Sequence, residues 1–245
     1  MSVRALELVR DPEIAAEISA HLVSLERLSE ERGRRATGLA ALDALLGGGW
    51  PRAALSEISG PRSSGRTTVV RAALAAALCA GESTALVDVG GTLDARAAVM
   101  SATATTSPGP PLLWIRCLAA QALKAADLVV AAGGFGTVAL DLCDARLRIP
   151  DAAWVRLRHA ARAQGTTVLV ASGARRLGAF AAAAVDLGGA PAFDTEGPPL
   201  FARLEVRAHR LRNGRAQGET SSRSSSDQSD REQQPCVSLA FMSRS

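Results

Sequence analysis

The chain has 245 residues, 47% of them hydrophobic, enough for one large or two small domains with a sizeable core. Only 3% are aromatic and none is Tyr, so the core must be built from Ala, Leu and Val, and base-stacking platforms for single-stranded nucleic acid are disfavoured. The formal net charge of +4, carried almost wholly by Arg because Lys124 is the only lysine, permits an anionic partner without requiring one.

Asp11-Pro12 reads as a helix start, Asp11 as cap and Pro12 in the first turn, where its missing N–H costs nothing. Ile14, Ile18, Leu22, Leu25 and Leu28 supply an apolar stripe for packing on the main domain or on another copy. "RGRR", 32–35, reads as a solvated linker, with an anion contact as the alternative. Leu39, Leu42, Leu45 and Leu46 predict a short amphipathic helix, broken by Gly47 to Gly49 and Pro51. A strand over 54–59 then runs into "SGPRSSGRTT", which opens an Ala-rich helix over 67–79.

Further strands are expected at "STALVDVG", "LLWIR", "GTVALDLCD", "TTVLVAS", "AAAAVDLGG" and "RLEVRAH". Helices are expected over 94–100, 118–132 and 151–164, with "SPGPP" as a loop. Near-continuous apolar strands alternating with helices imply an α/β fold with a mostly parallel central sheet covered on both faces. From Gln217 the chain is polar and Ser-rich, too poor in apolar surface to offset ordering entropy, so residues 217–245 are expected to be a disordered tail. Its apolar tip, Val237, Leu239, Phe241 and Met242, is the candidate docking peptide for a partner, set against a ragged end without a role. The units are therefore 1–36 (helix and linker), 37–216 (core) and 217–245 (tail).

The chemistry concentrates in the loop Gly60, Pro61, Arg62, Ser63, Ser64, Gly65, Arg66, Thr67 and Thr68. It passes the strand–turn–helix test for G-x-x-x-x-G-K-[ST] except at Arg66, which stands at the lysine position. Gly60 and Gly65 permit the wrap, and the N–H groups of Ser63 to Thr67 cradle phosphate oxygens at a helix N-terminus. Thr67 and Asp141, which ends an apolar strand, are the candidates for Mg²⁺ coordination. ATP and Mg²⁺ are the expected ligands.

Cys79, Cys117, Cys143 and Cys236 form no C-x-x-C pair and have no His at metal spacing, so buried free thiols are expected rather than a structural metal. The acidic N-terminus is unlike a signal peptide and the Ala-rich run 72–80 is too short to span a bilayer, so a cytoplasmic location without membrane contact is expected.

"TGLAALDALLGGGWPRAALSEISGPRSSGRTTV" resembles the nucleotide-binding start of RecA-type recombinases, which reads T-G-x-x-x-L-D, G-G-(L)-P, then G-P-x-S-S-G-K-T-T. The likeness continues more weakly to about residue 215, and the family's long carboxyl-terminal domain has no counterpart in this sequence. The resemblance implies a RecA-like phosphate-loop core with three departures. Arg66 replaces Lys; Gly90 aligns with the glutamate that polarises the attacking water; the two DNA loops shrink to "ARLRIP" and "GARRLG", with Gly173 at the glutamine sensor. The Lys-to-Arg change keeps the charge but alters its direction. Weak or absent ATP hydrolysis, with no catalytic residue, is the expectation.

Shortened RecA-like chains of this kind resemble the ImuA group, whose members are accessory factors in damage-induced translesion synthesis. That resemblance implies an ImuB-like protein, an error-prone replicative-type polymerase and RecA as partners, with self-association through the N-terminal helix. An active DNA-dependent ATPase, or a regulatory protein unrelated to DNA, remain the alternatives. Arg175, Arg176, Arg207, Arg210 and Arg212 are the candidate DNA or phosphate contacts, set against ordinary solvated surface.

Overall fold

The structure is a computed structural model that describes residues 33–91, 93, 110–143, 145, 147–193, 201–212, 215–216 and 236–242. The predicted helices over 14–28 and 94–100 lie outside the described residues.

The chain opens with β1 (Arg34–Arg35), α1 (Ala40–Leu46) and β2 (Trp50–Pro51). β1 and β2 pair antiparallel, so Arg34, half-buried, and Arg35, buried, sit in a strand and are not a solvated linker. Arg35 is buried and forms an ion pair with Glu82, which also meets Arg52 Nη2 at 2.5 Å. Burial, followed by the neighbouring Arg52 charge, lowers the Arg35 pKa to about 10.

Then follow β3 (Leu55–Ser59), α2 (Arg66–Cys79), β4 (Thr84–Asp88), β5 (Leu112–Arg116), α3 (Ala119–Ala132), β6 (Thr137–Asp141), α4 (Asp151–Gln164), β7 (Thr167–Ser172), β8 (Ala183–Phe193), β9 (Phe201–Arg212), β10 (Arg215–Ala216) and β11 (Cys236–Met242). Every strand expected from the apolar runs is present: β5 matches its run, and β3, β4, β6 and β7 are trimmed where the chain turns. β8 and β9 extend well beyond the predicted runs.

The six strands β5-β4-β6-β7-β3-β8 are neighbours in that order and mutually parallel. Antiparallel β9 extends the sheet beyond β8, and β10 and β11 lie along the far edge of β9. Residues 236–242, expected within a disordered tail, are therefore a strand.

Alternation along the buried strands splits the core between the two sheet faces. Ile58, Leu86, Ala139, Leu169 and Val185 join the buried stripe of α2 (Val69, Val70, Ala73, Leu74) and α1's Leu42, Leu45 and Leu46. Leu55, Ala85, Val87, Val138, Leu140, Val168 and Val170 join α3 (Ala122, Ala126, Val129, Val130) and α4 (Trp154, Leu157, Ala161). Stripes at i, i+3 or i+4, and i+7 are what a helix needs to bury one face.

The T-G-x-x-x-L-D segment is explained by packing. Thr37 is fully buried; its N–H donates to Asp43 Oδ1 at 2.7 Å, and its hydroxyl donates to Leu39 O at 3.0 Å. Gly38 adopts φ +79°, and a Cβ there would stand 2.5 Å from Ala72 O, so only glycine lets this segment lie against α2.

Candidate phosphate site

β3 sits between β7 and β8, while the chain leaves it to form β4 beyond β7 and β6. Residues at its carboxyl end therefore occupy a topological switch point, where open α/β sheets bind ligands. The loop from Gly60 to Gly65 fills that position. Ser63 takes φ 61° and Gly65 φ 91°, left-handed conformations that wrap the backbone around a concave turn. A side chain at Gly60 would strike Leu187 O and come within 2.6 Å of Ser64 Oγ. α2 starts at Arg66 with Gly65 as N-cap and no side-chain cap hydrogen bond. Ser64 is buried, and its Oγ lacks a partner within the protein.

Arg66 is directed toward the neighbouring strand ends. Its Nη1 donates to Cys143 O at 3.2 Å. Cys143 follows β6 in a left-handed turn (φ 52°), which Asp141 stabilises by accepting Cys143 N–H at 2.8 Å on Oδ1. Gly173 N–H reaches the same Cys143 oxygen at 3.0 Å. One carbonyl thus joins the phosphate loop, the end of β6 and the end of β7.

Asp141 is buried and opposite Asp88 in the β4–β6 register. The Asp88 carboxylate is engaged on both oxygens, by Gly91 N–H at 2.8 Å and by Trp114 Nε1 at 3.2 Å. Gly90 is exposed beside it, at the rim of an open pocket of about 470 Å³ that also involves Arg116 and Gln121. Arg116 lies over the Trp114 ring at 5.7 Å. Burial, and then the Asp88 charge, push the Cys117 thiol above its usual range.

The thiols depart from expectation: Cys79 is exposed, and Cys117 and Cys143 are half-buried. Cys79 ends α2 and is exposed, while Cys117 and Cys143 follow the ends of β5 and β6, Cys117 packed against the edge of the core.

The candidate phosphate contacts divide. Arg175 is exposed. Arg176 instead binds its own protein, donating from Nη1 to Leu147 O at 2.8 Å and from Nη2 to Ala145 O at 2.5 Å. Its backbone N–H and that of Leu177 (3.1 Å) donate to Glu57 Oε1. Arg207, Arg210 and Arg212 lie on β9, with Arg207 opposite Gly188 and Arg210 opposite Val185 on β8.

Glu57 was missed from sequence. It lies fully buried in the middle of β3, Oε2 has no partner, and burial raises its pKa, opposed by the two N–H donors and by Arg175. Its one visible signal was a charge inside an apolar strand.

Fold and loop together define a phosphate-loop α/β protein. A model of the RecA N-terminal domain matches residues 21–152, and the chain belongs to that family. Protein RecA of Mycobacterium marinum is 40% identical over 106 residues, which are 43% of this chain and 30% of that protein. Protein RecA of Nocardia farcinica is 38% identical over 109 residues, with the same shares. The aligned stretch thus spans under a third of these curated relatives. The crystal structure of the RadB recombinase superposes with a TM-score of 0.50 at 18% identity, covering 71% of this chain and 88% of that one, a likeness of fold. Among the described residues no helix is long and apolar enough to cross a membrane.

Proposed function

We propose that this chain is a RecA-type core that holds ATP without turning it over, and that it serves DNA damage tolerance through contacts with other proteins. One observation carries the reading: the phosphate loop keeps its wrapped backbone while exposed Gly90 stands where the family resemblance puts the catalytic acid. A glycine has no group to polarise water, and neighbouring Asp88 is held by Gly91 and Trp114.

The residues fit a nucleotide's phosphates. The uncapped start of α2 and the unpartnered Ser64 hydroxyl mark a cradle built for an anion. Gly60 to Thr68 would hold the phosphates, and Thr67 and Asp141 would hold Mg²⁺. Bound ATP would supply the negative charge that the loop's N–H groups and Arg66 are placed to meet. Arg66, turned toward Cys143 O, supports binding more than transition-state stabilisation.

The partners proposed are an ImuB-like protein, an error-prone replicative-type polymerase and RecA, on the strength of the ImuA resemblance. Calorimetry with ATP, with and without Mg²⁺, run beside a hydrolysis assay with and without DNA, tests the reading. Binding without turnover is expected. DNA-stimulated turnover abolished by Arg66→Ala would establish an active ATPase instead. A pull-down from damaged cells is expected to enrich translesion polymerase components; enrichment of no repair or replication protein would point to regulation unrelated to DNA.

A further inference from the structure

The far edge of β9 is covered by a strand in two pieces. β10 pairs Arg215 with Arg212 and Ala216 with Leu211; β11 pairs Cys236 with His209 and continues to Met242 opposite Arg203. Both pieces run antiparallel to β9, and in register only Arg210 separates them. Ala216 and Cys236 thus occupy positions about 7 Å apart along β9, at ~3.4 Å per residue. A single residue would bridge that gap, yet the nineteen residues 217–235 lie between. Nineteen residues can reach up to about 60 Å when extended, far more than the gap. The insertion is therefore not needed for reach, and it uncouples β11 from the strand it continues.

We propose that the β9 edge is a strand-exchange site, at which β11 of a second copy of this chain takes the place of the chain's own β11. Three features support a second copy as the occupant. The exchanged strand makes the same seven-residue pairing, so nothing in the register opposes exchange. The long connection lowers the effective concentration of β11 at its own edge, which falls steeply with length once a linker exceeds its span. An unpaired β9 edge would expose a row of N–H and C=O groups, so one strand or another must cover it. α1 lies beside β11 and β9, so the seat is supported by the core in either arrangement.

Register provides a direct test, because native Cys236 stands opposite His209. Directly opposed positions on antiparallel strands are near enough for a disulfide after small adjustment. Full-length His209→Cys protein is incubated at about 5 µM and at about 500 µM, concentrations chosen to approach the millimolar effective concentration of a tethered strand, then diluted, oxidised and mapped by mass spectrometry. The expected result is a 209–236 disulfide within single chains from the dilute sample, and the same linkage joining two chains from the concentrated one. Addition of Cys236→Ser should abolish both. Linkage confined to single chains at every concentration overturns exchange. Absence of 209–236 linkage in a protein with the parent's melting temperature overturns the seating of β11 itself. The pair Ala208→Cys and Val237→Cys, one register position along, gives the same readout if His209→Cys does not fold.

Discussion

Arg66 and Gly173 meet at one atom: the guanidinium donates to Cys143 O at 3.2 Å and the Gly173 N–H to the same oxygen at 3.0 Å. The residues that the family resemblance aligns with the phosphate-loop lysine and with the glutamine sensor therefore share an acceptor just past Asp141. Lysine has three donors on a single nitrogen, whereas the arginine fork can serve a carbonyl and still present N–H groups elsewhere. This geometry makes Arg66 a structural tie as well as a charge.

Restoring lysine alone should not create an ATPase, because Gly90 still offers no base. Gly90 is exposed at the rim of the open pocket, the position at which an acid is to be introduced. Arg66→Lys and Gly90→Glu should each stay at background. Together they should raise turnover by roughly 10²-fold or more, the usual contribution of a positioned base. A coupled phosphate-release assay reads this, and strong activity in Arg66→Lys alone would contradict it.

Glu57 should show opposite effects for two substitutions. Glu57→Ala leaves the Arg176 and Leu177 N–H groups unpaired and should cost about 1–3 kcal/mol, read by urea unfolding. Glu57→Gln keeps a carbonyl acceptor and has no charge to bury, so it should be neutral or stabilising at pH values above the raised folded pKa.

The pH dependence follows from the raised Glu57 pKa. Between the ordinary glutamate pKa of the unfolded chain and the raised folded value, the native state binds the extra proton, so stability falls as pH rises through that window. Above it the penalty is constant. Glu57→Gln should flatten this part of the stability–pH curve; an unchanged slope would exclude Glu57 as its source.

Arg175 and Arg176 should separate in function. Arg176→Ala strips charged donors from Ala145 O and Leu147 O and should lower stability by about 1–3 kcal/mol. Arg175→Ala should cost much less stability than Arg176→Ala, losing only its charge facing Glu57, and should weaken any DNA binding, with a shallower salt dependence measured by fluorescence anisotropy.

Gly38→Ala should destabilise through both its positive φ and the 2.5 Å approach to Ala72 O, by about 1–3 kcal/mol or more. Because α2 carries the phosphate loop, calorimetry should show weaker ATP binding as well. Retention of wild-type stability would show that α2 yields easily at this point.

Much of the architecture was legible locally. Val138, Leu140 and Val168 announce buried strands because a parallel strand covered on both faces must be apolar throughout. Gly60 and Gly65 announce the loop because only a wrapped backbone turns its N–H groups inward. Arg35 illustrates the opposite case: within "RGRR" it reads as a solvated charge, but its partner Glu82 lies far along the chain. The same holds for Arg176, whose acceptors precede it by some thirty residues.

The sites of the strands, of the helices and of the glycine loop were set by the sequence alone. These depend on side-chain periodicity and on the identity of single residues. Tertiary structure alone decided where Arg66 points, that Glu57 holds the loop after β7, and that the apolar tip becomes β11 on β9. Such outcomes depend on which distant groups converge at a strand end or sheet edge. Hydrogen-bond donors and acceptors far apart in sequence meet only when the sheet order brings them together.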